Sequence, residues 1–104
     1  MLYRIDFTVE YDTDMGQQGL FAIWAEEPGA ALGAKDAGVV VDLWKVVGER
    51  KVLAIVDVET PDMLDQIMFD LPIMQKMGQH VQADVKSLRR YEDFAADVKE
   101  RLGR

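Results

Sequence analysis

Apolar residues in this chain recur first with a period of two, then of about 3.6, then of two in two successive runs, then of about 3.6 and finally of two. Few folds accept that order. Tyr3, Ile5, Phe7 and Val9 alternate with Arg4, Asp6, Thr8 and Glu10, as in a strand with one buried face. Residues 15–37 then follow helical spacing, with Leu20, Ile23, Trp24, Ala31 and Ala34 on one face. Asp12-Thr13-Asp14 precede them as N-cap oxygens, and Gly38 follows as a stop. Val39–Val47 and Val52–Val58 are β-branched runs around Gly48-Glu49-Arg50-Lys51, which reads as a hairpin. Thr60 caps and Pro61 opens a second helix whose apolar face is Leu64, Ile67, Met68 and Leu71, with Leu71-Pro72 as its end. Met74-Gln75-Lys76-Met77 reads as a loop with core anchors. Residues 80–88, where Val81, Ala83 and Val85 alternate with polar neighbours, read as a fourth strand.

The resulting order, βαββαβ, predicts a ferredoxin-like α+β fold: a four-stranded antiparallel sheet with two helices on one face. Tyr91, Phe94, Ala95, Val98 and Leu102 then recur at helical spacing, so an added amphipathic helix is expected over residues 90–102. At 104 residues the chain suits one domain, residues 1–104, with 89–104 as a C-terminal helical extension.

Nineteen acidic against twelve basic residues leave a net charge of −7, which opposes binding to nucleic acid or anionic membranes. Arg50-Lys51 and Arg89-Arg90 are too short to reverse that field. Without cysteine, disulfides, thiolate nucleophiles and cysteine-ligated metals are excluded. His80, the sole histidine, reads as a solvated residue at a loop edge, and no metal is expected. The amino terminus lacks a signal-peptide core and no segment is long and apolar enough to span a membrane, so the expected compartment is the cytoplasm.

Glu27 falls inside the apolar stripe of the first helix, next to Pro28, with Glu26 at the stripe's edge. A carboxylate facing a core is costly unless it is paired, protonated or lining a cavity. A raised pKa and a part in proton transfer follow from the last two cases; pairing with Lys35, Lys45 or Arg50, or escape to solvent, is the alternative. Pro28 cannot donate to the Trp24 carbonyl and should kink the helix beside Glu27. Trp24 and Trp44 are candidate walls of a site, and Lys45 and Arg50 are candidate cations near a developing oxyanion.

Leu43-Trp44-Lys45-Val46-Val47-Gly48, Asp57-Val58-Glu59, Leu71-Pro72 and the opening Met1-Leu2-Tyr3 resemble the muconolactone isomerase family, without gaps from the start to about Val85. The resemblance sets Glu26-Glu27 on that family's paired glutamates. It implies a dimeric α+β barrel that assembles further into a ring. It also implies a site between helix and sheet with Glu27 as acid/base, and a cofactor-free proton shift in an anionic unsaturated lactone during aromatic-compound breakdown; Trp24, Glu26, Trp44, Lys45 and Arg50 are the substrate-binding candidates that the residues themselves suggest beside Glu27. Four departures stand out. Lys45 replaces the usual arginine, Arg50 and Val52 stand where a tyrosine and an asparagine line the family pocket, Met74-Gln75-Lys76 replaces an aromatic-Pro-aromatic run, and the tail is different.

Two readings therefore stand side by side: a cofactor-independent isomerase, or related lyase or dehydrohalogenase, and a non-catalytic small-ligand-binding or assembly protein on the same scaffold. Oxygenase chemistry known on the wider scaffold is a weaker third, since a fold does not dictate a function.

Overall fold

The computed structural model describes residues 1–10 and 16–104; the N-cap expected at Asp12-Thr13-Asp14 lies outside the described residues. Strand β1 (Leu2–Val9) is followed by helices α1 (Gly16–Trp24) and α2 (Glu27–Asp36), the hairpin β2 (Val40–Val46) and β3 (Lys51–Asp57), and helices α3 (Pro61–Phe69) and α4 (Pro72–Met77). A 3₁₀ turn (Gly78–His80), β4 (Val81–Leu88) and α5 (Tyr91–Leu102) complete the chain. The strands form one antiparallel sheet in the order β2-β3-β1-β4, the ferredoxin-like arrangement expected from the sequence.

Register explains which residues form the core. Ile5 lies opposite both Ala54 and Val85, so the odd-numbered β1 residues share a face with Val52, Ala54 and Val56. Ile5, Ala54, Val56, Val58 and Leu64 of α3 make one buried cluster, and Val9, Leu20 of α1 and Ile73 of α4 make another. The helices thus cover this one face. The other face carries Arg4, Asp6 and Thr8 with Leu53, Ile55 and Trp44, and Arg4 pairs there with Asp6 at 3.1 Å.

Two expectations need correction. Residues 15–37 do not form one kinked helix: α1 stops at Trp24 and α2 starts at Glu27, with Pro28 in its first turn. Proline has no N–H for the Trp24 carbonyl, and the chain tightens instead, Ala25 N–H donating to Phe21 O at 2.8 Å and Glu26 N–H to Ile23 O at 3.2 Å. Nor does Pro72 end a helix. Helix α3 has already stopped at Phe69, and extended Leu71 (ψ 133°) lets Pro72 open α4, so Met74-Gln75-Lys76-Met77 are helical rather than a loop.

The remaining boundaries follow local chemistry. Gly38 and Gly48, both at φ +83°, end α2 and turn the hairpin where a side chain would be strained. A bulge between Val40 and Asp42 starts β2, and the Asp42 carboxylate accepts from Leu43 N–H at 2.9 Å and from Lys35 at 3.2 Å; those two bonds hold its pKa below the usual carboxylate value.

Helix α5 stands apart from these layers. None of its residues is buried, Tyr91 and Leu102 are 75% and 83% exposed, and the chain extends over 61 × 27 × 20 Å. Locally it is well formed, with Arg89 reaching Asp97 at 2.5 Å and the Tyr91 and Phe94 rings 6.0 Å apart.

The Thr60 hydroxyl accepts from Met63 N–H at 3.1 Å, the cap expected for α3. Thr60→Ala should cost about 1 kcal/mol of stability, measured by denaturant unfolding, while Thr60→Ser should cost much less.

Candidate active site

The break between α1 and α2 sends two adjacent glutamates in different directions. Glu26 turns outward and pairs with Lys76 of α4 at 2.6 Å, both side chains remaining about half exposed. Glu27, the first residue of α2, is partly buried, and its Oε1 accepts from the backbone N–H of Ile73 at 2.5 Å. Ile73 itself is 5% exposed. Among the described residues no second group bonds the Glu27 carboxyl. Burial raises its pKa above the ordinary 4.5, the Ile73 N–H opposes that rise, and the neighbouring Glu26 charge adds to it.

Glu27 opens onto a cavity of about 650 Å³ between the helices and the sheet. Trp24, Phe7, Leu43, Val52, Ala54 and Met68 are among its walls, and of the described residues lining it only Glu27 and Lys45 carry charge. A second cavity of about 630 Å³ shares Phe21, Trp24 and Lys45 with the first and continues to Thr8, Gln17, Glu49, Arg50 and Lys51 near the hairpin turn.

The site residues expected from the sequence are thus partly gathered. Trp24, Glu27 and Lys45 border one cavity, Arg50 borders only its neighbour, and Glu26 borders neither. Trp44 touches the first cavity, yet its pairing with Leu53 sets it on the opposite side of the strand from Leu43 and leaves it 50% exposed. His80 ends the 3₁₀ turn, off both cavities.

The cations are not partners of Glu27. Lys35 pairs with Asp42, Lys45 Nζ donates to the Val46 carbonyl at 2.8 Å and to the Glu49 carbonyl, and Arg50 Nε donates to Val9 O at 3.1 Å. The ion-pair alternative for Glu27 is therefore replaced by a backbone bond. Sequence reading missed Ile73 and Lys76 because it missed α4. Pro72, one residue after extended Leu71, was the available signal, the same one that marks Pro61.

A partly buried carboxyl with a raised pKa destabilises the fold at neutral pH. The folded state binds the Glu27 proton more tightly than the unfolded one, so the favourable contribution is complete below about pH 4.5 and is lost as pH rises through the folded value. Glutamine can still accept from Ile73 N–H. Thermal melts from pH 4 to 8 should show wild type losing stability relative to Glu27→Gln across that window, and a pH-independent difference would contradict the shift.

Comparison with known proteins agrees with this fold. The profile of the family described as Muconolactone delta-isomerase matches residues 1–93. Muconolactone Delta-isomerase 2 of Acinetobacter lwoffii is 26% identical over 83 residues, which cover 80% of this chain and 86% of that protein. Among solved structures, a muconolactone isomerase superposes with a TM-score of 0.72 at 23% identity, covering 86% of this chain and 90% of its own. The 5-chloro-2-hydroxyhydroquinone dehydrochlorinase of Burkholderia phenoliruptrix, in complex with 2,5-dihydroxybenzoquinone, gives 0.67 at 12% identity, covering 86% and 95%. At these identities the two structures speak for the fold, and the profile match over nearly the whole sheet-and-helix body carries the assignment: the chain belongs to the muconolactone delta-isomerase family.

Proposed function

We propose that this protein is a cofactor-independent isomerase that shifts a proton, and with it a C=C bond, in an unsaturated lactone or related enolisable carboxylic acid, with Glu27 as the general acid/base. The single observation that carries the reading is a carboxyl of raised pKa set at the wall of an apolar cavity. Family membership supports isomerase-like chemistry in general.

Glu27 as carboxylate would take a proton from the carbon conjugated with the lactone carbonyl. The C–H pair becomes part of a dienolate, and the O–H formed on Glu27 then breaks to return the proton two carbons away. No oxidant or reductant is needed. The Ile73 N–H holds one carboxyl oxygen in place, leaving the other to exchange the proton, and Lys45 and Arg50 contribute positive potential toward the dienolate. Trp24 excludes water on one side. In this reading Glu26 positions the helix junction through Lys76 and raises the Glu27 pKa by its charge. The setting we propose is aromatic-compound catabolism in the cytoplasm.

A second reading is a ligand-binding or assembly protein, or a related lyase, on the same scaffold. It is favoured by Lys45, whose ammonium donates to two hairpin carbonyls rather than into the apolar cavity. Proton NMR of candidate lactones in deuterated water separates the two. Deuterium should enter the enolisable carbons with wild type, and Glu27→Gln should slow that uptake by about 10²-fold or more while remaining folded. Binding without uptake would overturn the isomerase.

We further propose that residues 1–104 act as one unit within a homo-oligomer, at least a dimer and in its fullest form a ring. Support comes from α5, which is too short to be stable alone and exposes Tyr91, Phe94, Val98 and Leu102, and from the helix-free face of the sheet. Sedimentation at micromolar concentration should show at least a dimer, and deleting residues 89–104 should lower both the assembly state and turnover. A monomeric wild type would contradict the assembly.

A further inference from the structure

The two cavities differ in chemistry in a way that describes a ligand. The one at Glu27 has a volume of about 650 Å³, within the roughly 300–1,000 Å³ of sites that take drug-sized molecules, and its walls offer apolar surface almost throughout. Glu27 is itself an acid. An anionic group brought beside it would be repelled and desolvated together, which disfavours placing a substrate carboxylate in that compartment. The adjoining cavity has the opposite character, its described lining carrying Lys45, Arg50 and Lys51 against the single carboxylate of Glu49, in a chain whose net charge is −7. Phe21, Trp24 and Lys45 border both spaces, so the two cavities adjoin along these side chains.

We infer that the ligand is an elongated amphipathic acid whose apolar, enolisable body, larger than a single five-membered ring, fills the Glu27 compartment while its carboxylate lies in the Lys45–Arg50–Lys51 compartment. This rests on the isomerase reading for the word enolisable and on the two cavities for the rest. Val52 contributes only methyl groups to the apolar wall, and Lys51 follows Arg50 at the start of β3, so body and carboxylate are selected by residues one and two positions apart in the chain.

Isothermal calorimetry with phenylacetate, naphthylacetate and neutral naphthylethanol tests the assignment on the full chain. Naphthylacetate should bind at least about tenfold more tightly than phenylacetate, because the second ring buries further apolar area, and more tightly than naphthylethanol, because only the acid uses the cationic compartment. Arg50→Gln combined with Lys51→Gln should bring acid and alcohol to similar affinity without weakening the alcohol. Val52→Phe should remove the preference for the larger ring. Glu27→Gln should keep both preferences. Equal binding of the two acids, or of acid and alcohol by wild type, overturns the inference whether or not the variants fold. If these preferences hold but no deuterium enters any lactone, the isomerase reading fails and the ligand class stands; if deuterium enters and the preferences are absent, the ligand class alone fails.

Discussion

The bond from Ile73 N–H to the Glu27 carboxylate is the constraint on which the site depends. It joins the first residue of α2 to the first turn of α4, two elements that meet only because Pro28 and Pro72 each force a new helix to start where an older one has stopped. The Glu26–Lys76 pair braces the same junction from the outside. An exposed pair of this kind contributes little stability, and its value here is orientation. Together the two contacts hold one carboxylate toward the cavity and the other toward solvent, although the residues are neighbours in the chain.

That arrangement runs against stability. Burial raises the Glu27 pKa, and an amide at the same place would keep the Ile73 bond without the charge. A carboxyl retained in such a position is what a proton-transfer site requires and what a purely structural core would avoid. The hairpin shows the complementary choice. Lys45 places its ammonium on the Val46 and Glu49 carbonyls, which fixes a positive charge at the boundary of the two cavities while tightening the turn at Gly48.

Much of the fold was legible in the sequence because strands and capped helices announce themselves locally. The alternation around Tyr3–Val9, the β-branched hairpin and the Thr60-Pro61 cap all lie where their periodicity and capping chemistry set them. The candidate site was legible in part. Glu27 stood out as a charge on an apolar stripe, yet its partner is a backbone N–H 46 positions further along the chain, and backbone donors leave no mark on side-chain periodicity. Helix α4, only six residues long, is too short to show a helical period, which is why Met74–Met77 read as a loop. Trp44 illustrates a further limit: a bulge between Val40 and Asp42 decides which way the following residues face, and nothing in a β-branched run fixes a bulge.

The central claim is that Glu27 carries an unusually basic carboxylate, and its own titration tests this most directly. Carbon-13 NMR of protein labelled at the glutamate carboxyls, with the Glu27 resonance assigned by its loss in Glu27→Gln, would follow that group alone. The account predicts a midpoint above the ordinary value of 4.5, displaced from those of the exposed glutamates. A midpoint at or below 4.5 would show that the Ile73 bond outweighs burial, and would contradict the account.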